Sequence, residues 1–284
     1  MFSYYKIVDM MMKWKLKGLW AKWFIMFAVL AIIAILLVLK YVNSAFTTDD
    51  KITIITGASD NHFKSLCNFI RSAYQYADMP FKLYVYDLDL NTENVEKLKA
   101  EFPDAIYKKF DYSKYPPYFN IHVAAGEYAW KPVIINEVAE IEKSGVLIWC
   151  DAGNLFTGPL SHLVNCIKET QIYSPTSSDN VAHWTHIKMQ QYFNSHNDIE
   201  LLKRDNRNAA LIGFWLDNEN VVRFIKDFSD KAQIKDCIAP EGSSRENHRQ
   251  DQALFTVLYY LYNREHKNPI NNNFVSVSVH NDCG

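Results

Sequence analysis

Val146–Phe156 reads VLIWCDAGNLF. The apolar run Val146–Trp149 suits a strand buried on both faces, as in the middle of a parallel sheet. A carboxylate, Asp151, follows almost at once. Ala152 and Gly153 come next and are small enough for another backbone or a phosphate to approach closely. Ligands of open α/β sheets bind beyond the carboxyl ends of the strands, and Asp151 is expected there. The plainer alternative for this carboxylate is that it caps the following turn.

Strand-like and helix-like segments alternate on either side of this stretch. Upstream, Lys51–Ile55 is β-branched and reads as a strand. Asp60 is placed to cap a helix whose apolar residues, Phe63, Leu66, Cys67, Ile70, Ala73, Tyr74 and Ala77, form one stripe. Phe81–Tyr86 reads as a second strand ending at Asp87 and Asp89. Asn91 or Thr92 caps a second helix, and Ala105–Phe110 is a weaker third strand. Residues 111–126, rich in tyrosine and proline, read as a loop. Residues 127–143 return to helical period and stop at Gly145. Downstream, a helix runs from Pro159 to Lys168, Gln171–Tyr173 is a short strand, and residues 174–207 are polar. An apolar segment, ALIGFWL, precedes a helix marked by Val221, Phe224, Ile225 and Phe228. A last helix spans Asp251–Tyr262, and Phe274–Val279 alternates as a strand. Strands alternating with helices imply right-handed crossovers and a mostly parallel sheet with flanking helices.

The chain has 284 residues, 49% of them hydrophobic, and a formal net charge of -2. Near-neutral charge argues against nucleic acid as a main partner, since phosphate backbones need a basic face. Five cysteines without paired spacing suit neither a disulfide framework nor a zinc site. Cys67 and Cys150 sit within apolar patterns and read as buried thiols. Trp23–Leu39, WFIMFAVLAIIAILLVL, carries no charge and is about the minimum length for a membrane-spanning helix. Lys13, Lys15, Lys17 and Lys22 precede it, and only Lys40 follows closely. The positive-inside rule then predicts a cytoplasmic tail over 1–22, a signal anchor over 23–41, a stem over 42–50 and a lumenal domain over 51–284. A signal peptide cleaved near Asn43-Ser44-Ala45 is the alternative. No Asn-x-Ser/Thr glycosylation sequon is present.

Several polar stretches are candidates for binding. Thr56-Gly57-Ala58-Ser59 follows the first strand. The glycines of a dinucleotide fingerprint do not follow, and nicotinamide chemistry is set aside; a tight turn or a nucleotide contact remains. Asp87 and Asp89 end a strand on the ligand side, where a carboxylate accepts hydrogen bonds from a base or ribose, or is a solvated turn residue. Lys131 lies on the helix before the central strand and carries a charge suited to a diphosphate. His248-Arg249-Gln250-Asp251-Gln252 is a dense polar set opening an otherwise apolar helix and is expected to face a ligand. His183, His186 and His196 lack regular metal spacing and read as loop residues.

The stretches YAWKPVIINEV (128–138), VLIWCDAGNLF and HRQDQA (248–253) together look like an uncharacterised family of type II membrane proteins resembling GT-A glycosyltransferases. The resemblance covers Lys51–Val279. It implies a GT-A (Rossmann-like) α/β fold preceded by one N-terminal transmembrane helix. It also implies transfer of a sugar from a nucleotide-sugar to a glycan or glycoprotein acceptor in the Golgi or endoplasmic reticulum. In that family the strand motif is usually Asp-x-Asp and holds a divalent ion, Mn or Mg, on the diphosphate. Here it is Asp151-Ala152-Gly153, without the second carboxylate. Carried across, Asp251 and Gln252 would be catalytic. Thr56, Gly57, Asp87, Lys131, Asp151, Gly153, His248 and Arg249 would bind the donor. Asp151 would hold the metal with His280, since some GT-A enzymes take a ligand from a C-terminal histidine; the plainer alternative for His280 is a solvated tail residue. A non-catalytic carbohydrate-binding or scaffold protein on a degenerate transferase fold is the alternative, motivated by the missing carboxylate.

Overall fold

The computed structural model describes residues 51–283 and, ahead of them, only Met26. The expected cytoplasmic tail, anchor and stem otherwise lie outside the described residues. Among the described residues no helix is long and apolar enough to cross a membrane.

The stretch VLIWC forms β4 (Val146–Cys150), buried at every position. It pairs in parallel with β1 (Ile52–Ala58), with Ile52 opposite Val146. β1 in turn pairs in parallel with β2 (Lys82–Asp87), and β2 with β3 (Ile106–Lys109). On the other side of β4 the direction reverses. The ALIGFWL segment supplies β9 (Leu211–Trp215), antiparallel to β4 and to the short edge strand β6 (Ile172–Tyr173). The order is β3-β2-β1-β4-β9-β6.

Strand side chains alternate between faces, and both faces of this sheet are covered. Ile54, Val146 and Ile148 pack toward one side, with α1 (Phe63–Tyr76), Leu98 of α2 (Thr92–Glu101), and α4 (Leu160–Thr170). Ile55, Leu147 and Trp149 pack toward the other, with α3 (Trp130–Glu142), α5 (Glu219–Ala232) and α6 (Gln250–His266). This double burial is why β4 reads as an unbroken apolar run. Truncating Ile148, fully buried, to Ala costs about 2–5 kcal/mol through lost burial and the cavity left behind.

Local details depart from the sequence pattern. Asp60 does not cap α1, which follows a 3-10 turn over Asp60–His62. Its carboxylate accepts instead from the Asn91 backbone N–H and from the Asn91 and Asn94 side chains, tying the loop after β1 to the loop after β2. α3 begins at Trp130, not at residue 127, because residues 124–128 form a left-handed turn. Its C-terminal cap is Lys143, with φ 62, not Gly145. The polar stretch 174–207 is built of short elements. It holds the antiparallel ribbon β7 (Thr176–Asn180) and β8 (Asp205–Arg207) and short helical turns. Of the alternating segment 274–279 only β10 (Val277–Ser278) pairs, antiparallel to β5 (Leu155–Phe156). The cysteines at 67, 150, 166 and 237 are buried free thiols.

Candidate functional site

Parity along β4 decides where the site forms. Trp149 and Asp151 are two residues apart and so lie on the same side of the sheet. The indole Nε1–H of Trp149 donates to Asp151 Oδ1 at 2.6 Å. That side carries the first turns of α3 and α6. Lys131 and Asp251 are each the second residue of their helix. The two helices thus deliver one ammonium and one carboxylate to the carboxyl end of β4, where open α/β sheets bind ligands.

The start of α3 is aimed by an unusual backbone. Ala124, Ala125, Gly126, Glu127 and Tyr128 all have φ between 49 and 64. Four of these are not glycine, and each left-handed residue costs about 1–2 kcal/mol. Such strain persists only where surrounding contacts hold it and gathers at functional sites. Here Trp130 Nε1–H donates to Ala125 O at 3.0 Å and Gln250 Nε2–H to Glu127 Oε2 at 3.3 Å. Gly126 is required, because a Cβ there would lie 2.3 Å from Phe119 O.

Lys131 Nζ lies 3.0 Å from Asp151 Oδ1, 2.8 Å from Asp251 Oδ2 and 3.1 Å from Ala209 O, on which it donates a hydrogen bond. Its side chain is 4% exposed and that of Asp251 7%. Burial opposes the charge on Lys131, but Asp151 and Asp251 outweigh it and hold its pKa above the ordinary value. Burial pushes the Asp251 carboxyl up, against the pull of Lys131. Oδ2 of Asp251 faces the Lys131 ammonium at 2.8 Å, so the buried carboxylate is charge-paired.

Above this triad opens a cleft of ≈ 650 Å³. Of the residues singled out from the sequence, Gly57, Asp89, Lys131, Asp151, Gly153, Arg249, Gln250, Asp251, Gln252 and His280 line it. Three others do not. Thr56 is fully buried and its hydroxyl faces the interior without a partner. Asp87 accepts from the backbone N–H groups of Asp89 and Leu90 and shapes the turn after β2. His248 is fully buried: Nδ1 accepts from the His186 N–H at 3.2 Å and Nε2 bonds the Ile238 carbonyl at 2.8 Å. Since Nδ1 accepts, the proton sits on Nε2 and the ring is neutral. Burial pushes its pKa down to about 4. Its partners are all protein, so it braces the start of α6 instead of meeting a donor.

The expected metal pair shares the cleft but does not make a metal site. Among the described residues no group of three or more His, Cys, Asp or Glu side chains is arranged to hold an ion. Asp151 Oδ1 is taken by Trp149 Nε1–H and faces the Lys131 ammonium. A dication placed there would meet a fixed positive charge at ion-pair range. The donor set at Asp151 therefore does not fit Mn or Mg.

Sequence reasoning missed several lining residues. The segment after β10 folds back over Gly153: Asn281 N–H donates to Gly153 O at 2.6 Å, and Asp282 pairs with His62 at 3.2 Å. A Cβ on Gly153 would lie 2.5 Å from Asp282 Oδ1, so the closely approaching group is this protein's own carboxylate. Asp60, read from the sequence only as a helix cap, joins the expected Asp89, paired with His122 at 2.9 Å, to give the wall by β1 and β2 an acidic edge. Another part of the lining is basic. Arg249 stacks on Trp184 with 3.8 Å from Cζ to the ring centre, and Arg245 lies over Tyr128 at 5.7 Å. The available signal was the Arg-x-x-x-Arg spacing just ahead of α6; nothing in the polar stretch marked Trp184.

A family model described as a protein of unknown function (DUF1647) matches residues 28–136, under half of the chain and ending short of Asp151. No curated protein matches. Among solved structures, an active-site mutant of LgtC superposes with a TM-score of 0.51 at 14% identity, over 73% of this chain and 70% of that one. The LgtC galactosyltransferase with donor and acceptor sugar analogues matches at TM-score 0.48 and 17% identity, over 73% and 70%. The apo bifunctional glycosyltransferase WbbM matches at 0.46 and 11%, over 75% of this chain, which spans 38% of the WbbM chain. The first of these likenesses is one of fold: the chain has a GT-A-like α/β fold.

Proposed function

We propose that this protein is a glycosyltransferase that moves a sugar from a nucleotide-sugar to a glycan or glycoprotein acceptor. The observation that carries the reading is the convergence of Asp151, Lys131 and Asp251 on the floor of one cleft, at the carboxyl ends of β1 and β4. Gly57 and Asp89 line the cleft, and the Asp89 carboxylate offers an acceptor for nucleoside hydroxyls. Asp251 is the group placed to meet a sugar hydroxyl. In the transfer, the acceptor oxygen forms a bond to the anomeric carbon and the bond from that carbon to the phosphate oxygen breaks. The electron pair leaves with the nucleotide, and the acceptor proton passes to a base. Burial raises the basicity of Asp251 for this role, while Lys131 keeps it oriented. Gln252, whose Oε1 accepts from the Ala209 N–H at 3.4 Å, joins α6 to the strand side of the cleft.

We further propose the arrangement read from the sequence: an anchor over 23–41 and a catalytic domain over 51–284 in the lumen of the Golgi or endoplasmic reticulum. Gly153 in place of a second carboxylate supports a second reading, sugar binding without transfer. A thermal-shift panel of the full chain with UDP-, GDP- and CMP-sugars, with and without manganese, tests the proposal. Stabilisation by one nucleotide class supports it. Stabilisation by free sugars alone favours the second reading, and no stabilisation by any nucleotide-sugar removes the first.

A further inference from the structure

The cleft has one wall whose charges are unbalanced. Around Asp60, Asp89 and Asp282 the carboxylates are met by asparagines or histidines. Lys131 is enclosed by three protein oxygens, so a ligand anion reaches it only by displacing one. Arg245 and Arg249 differ. Among the described residues neither guanidinium has an ion pair or a side-chain hydrogen bond; each rests on an aromatic ring.

A guanidinium resting on an indole, with Cζ 3.8 Å from the ring centre, keeps its N–H edge free for a ligand. That edge matches two oxygens of one phosphate or sulfate. The stack also removes part of the entropy that a free arginine loses on binding. Tyr128, under Arg245, belongs to the left-handed turn and lies within electrostatic range of Arg245, Asp251, Lys131 and Asp151. The arginine wall therefore borders the triad. The amino end of α6, with Arg249 as its cap residue, adds the positive end of a 17-residue helix.

We propose that Arg245 and Arg249, held on Tyr128 and Trp184, form an oxyanion subsite that supplies the positive charge the Asp151 region does not gain from a metal. The ligand chemistry is an anionic phosphoryl or sulfate group. Two sources carry it: the diphosphate of a nucleotide-sugar, or an acidic group on the acceptor. Naming the anion as a substrate group rests on the transferase reading; the subsite itself does not.

The test is calorimetric titration of the full chain, with EDTA present, using inorganic pyrophosphate, UDP, GDP, the free nucleosides and a sulfated disaccharide. The variants are Arg245→Ala, Arg249→Ala and Arg249→Lys. Arg245 is exposed, so its replacement leaves folding intact even if loss of the Arg249 stack does not. Wild type is expected to bind pyrophosphate, and each alanine variant to bind it about tenfold more weakly, the loss of one charge-assisted contact. Arg249→Lys, with the charge but not the fork, recovers only part. Equal losses for UDP or GDP, with nucleoside binding unchanged, assign the anion to the donor. Loss confined to the sulfated disaccharide assigns it to the acceptor. Arginine-dependent pyrophosphate binding to which no nucleoside adds affinity keeps the subsite and removes the transferase reading. Failure of wild type to bind either anion, or binding equal in wild type and both alanine variants, overturns the proposal.

Discussion

The Lys131 ammonium stands 3.0 Å from Asp151 Oδ1 and 2.8 Å from Asp251 Oδ2, and so joins the end of the central strand to the first turn of α6. Lys131→Met leaves two carboxylates facing each other with one fully enclosed. Breaking a buried pair on one side costs about 3–5 kcal/mol. Urea unfolding of the full chain at pH 7 should show a loss of that size. The Asp251 carboxyl is already raised by burial, and without the lysine it rises further. A folded pKa above the unfolded one means that the folded state binds the extra proton, so stability returns as pH falls. The variant should therefore be less impaired at pH 5 than at pH 7.

His248 gives a pH dependence of opposite sense. Its folded pKa is pushed down to about 4 from 6.5 by burial. Between those values the unfolded chain binds a proton that the folded chain refuses, so stability rises with pH across this window and is lost as pH falls through it. The full effect is about 3 kcal/mol. Unfolding curves at pH 7 and pH 4.5 should separate more for wild type than for His248→Gln, which holds no titrating ring.

Gly126→Ala tests the left-handed turn. The new Cβ would lie 2.3 Å from the Phe119 carbonyl oxygen at φ 64, a backbone clash that no side-chain movement relieves. A loss of about 1–3 kcal/mol is expected, with a shift in tryptophan fluorescence as the bond from Trp130 to Ala125 O is disturbed. Unchanged stability and fluorescence would show that the turn is not under this constraint.

How much of this was readable in the chain depends on which physical signal each element leaves. The burial of β4 was readable, because both-face burial writes itself as VLIW without alternation. Asp151 at its end, and Asp251 opening an apolar helix, were readable for the same reason: a carboxylate interrupting an apolar run has few places to go. The direction of β9 was not, since ALIGFWL is equally apolar whichever way it runs. The left-handed turn was not, because Ala124, Ala125, Glu127 and Tyr128 are held at positive φ by tertiary contacts and carry no local preference for it. β10 is shorter than the alternation over 274–279 suggests, since Ser276 has φ 57 and breaks the extended chain. His248 beside Arg249 reads the same whether it meets a ligand or a carbonyl. Only the Ile238 and His186 contacts distinguish the two, and their partners lie 10 and 62 residues away.

In the proposed reaction Asp251, on the floor of the cleft, acts on a nucleotide-sugar. The most direct measurement follows a donor found to bind and compares its affinity with its slow hydrolysis in wild type and in Asp251→Asn. The amide keeps the shape and the neighbour of the carboxylate but cannot take a proton or pair fully with Lys131. We predict donor affinity within about threefold of wild type, under one kcal/mol, and hydrolysis reduced by about 100-fold or more, the scale of a lost general base. Hydrolysis at the wild-type rate in Asp251→Asn, with the donor still bound, would contradict the account.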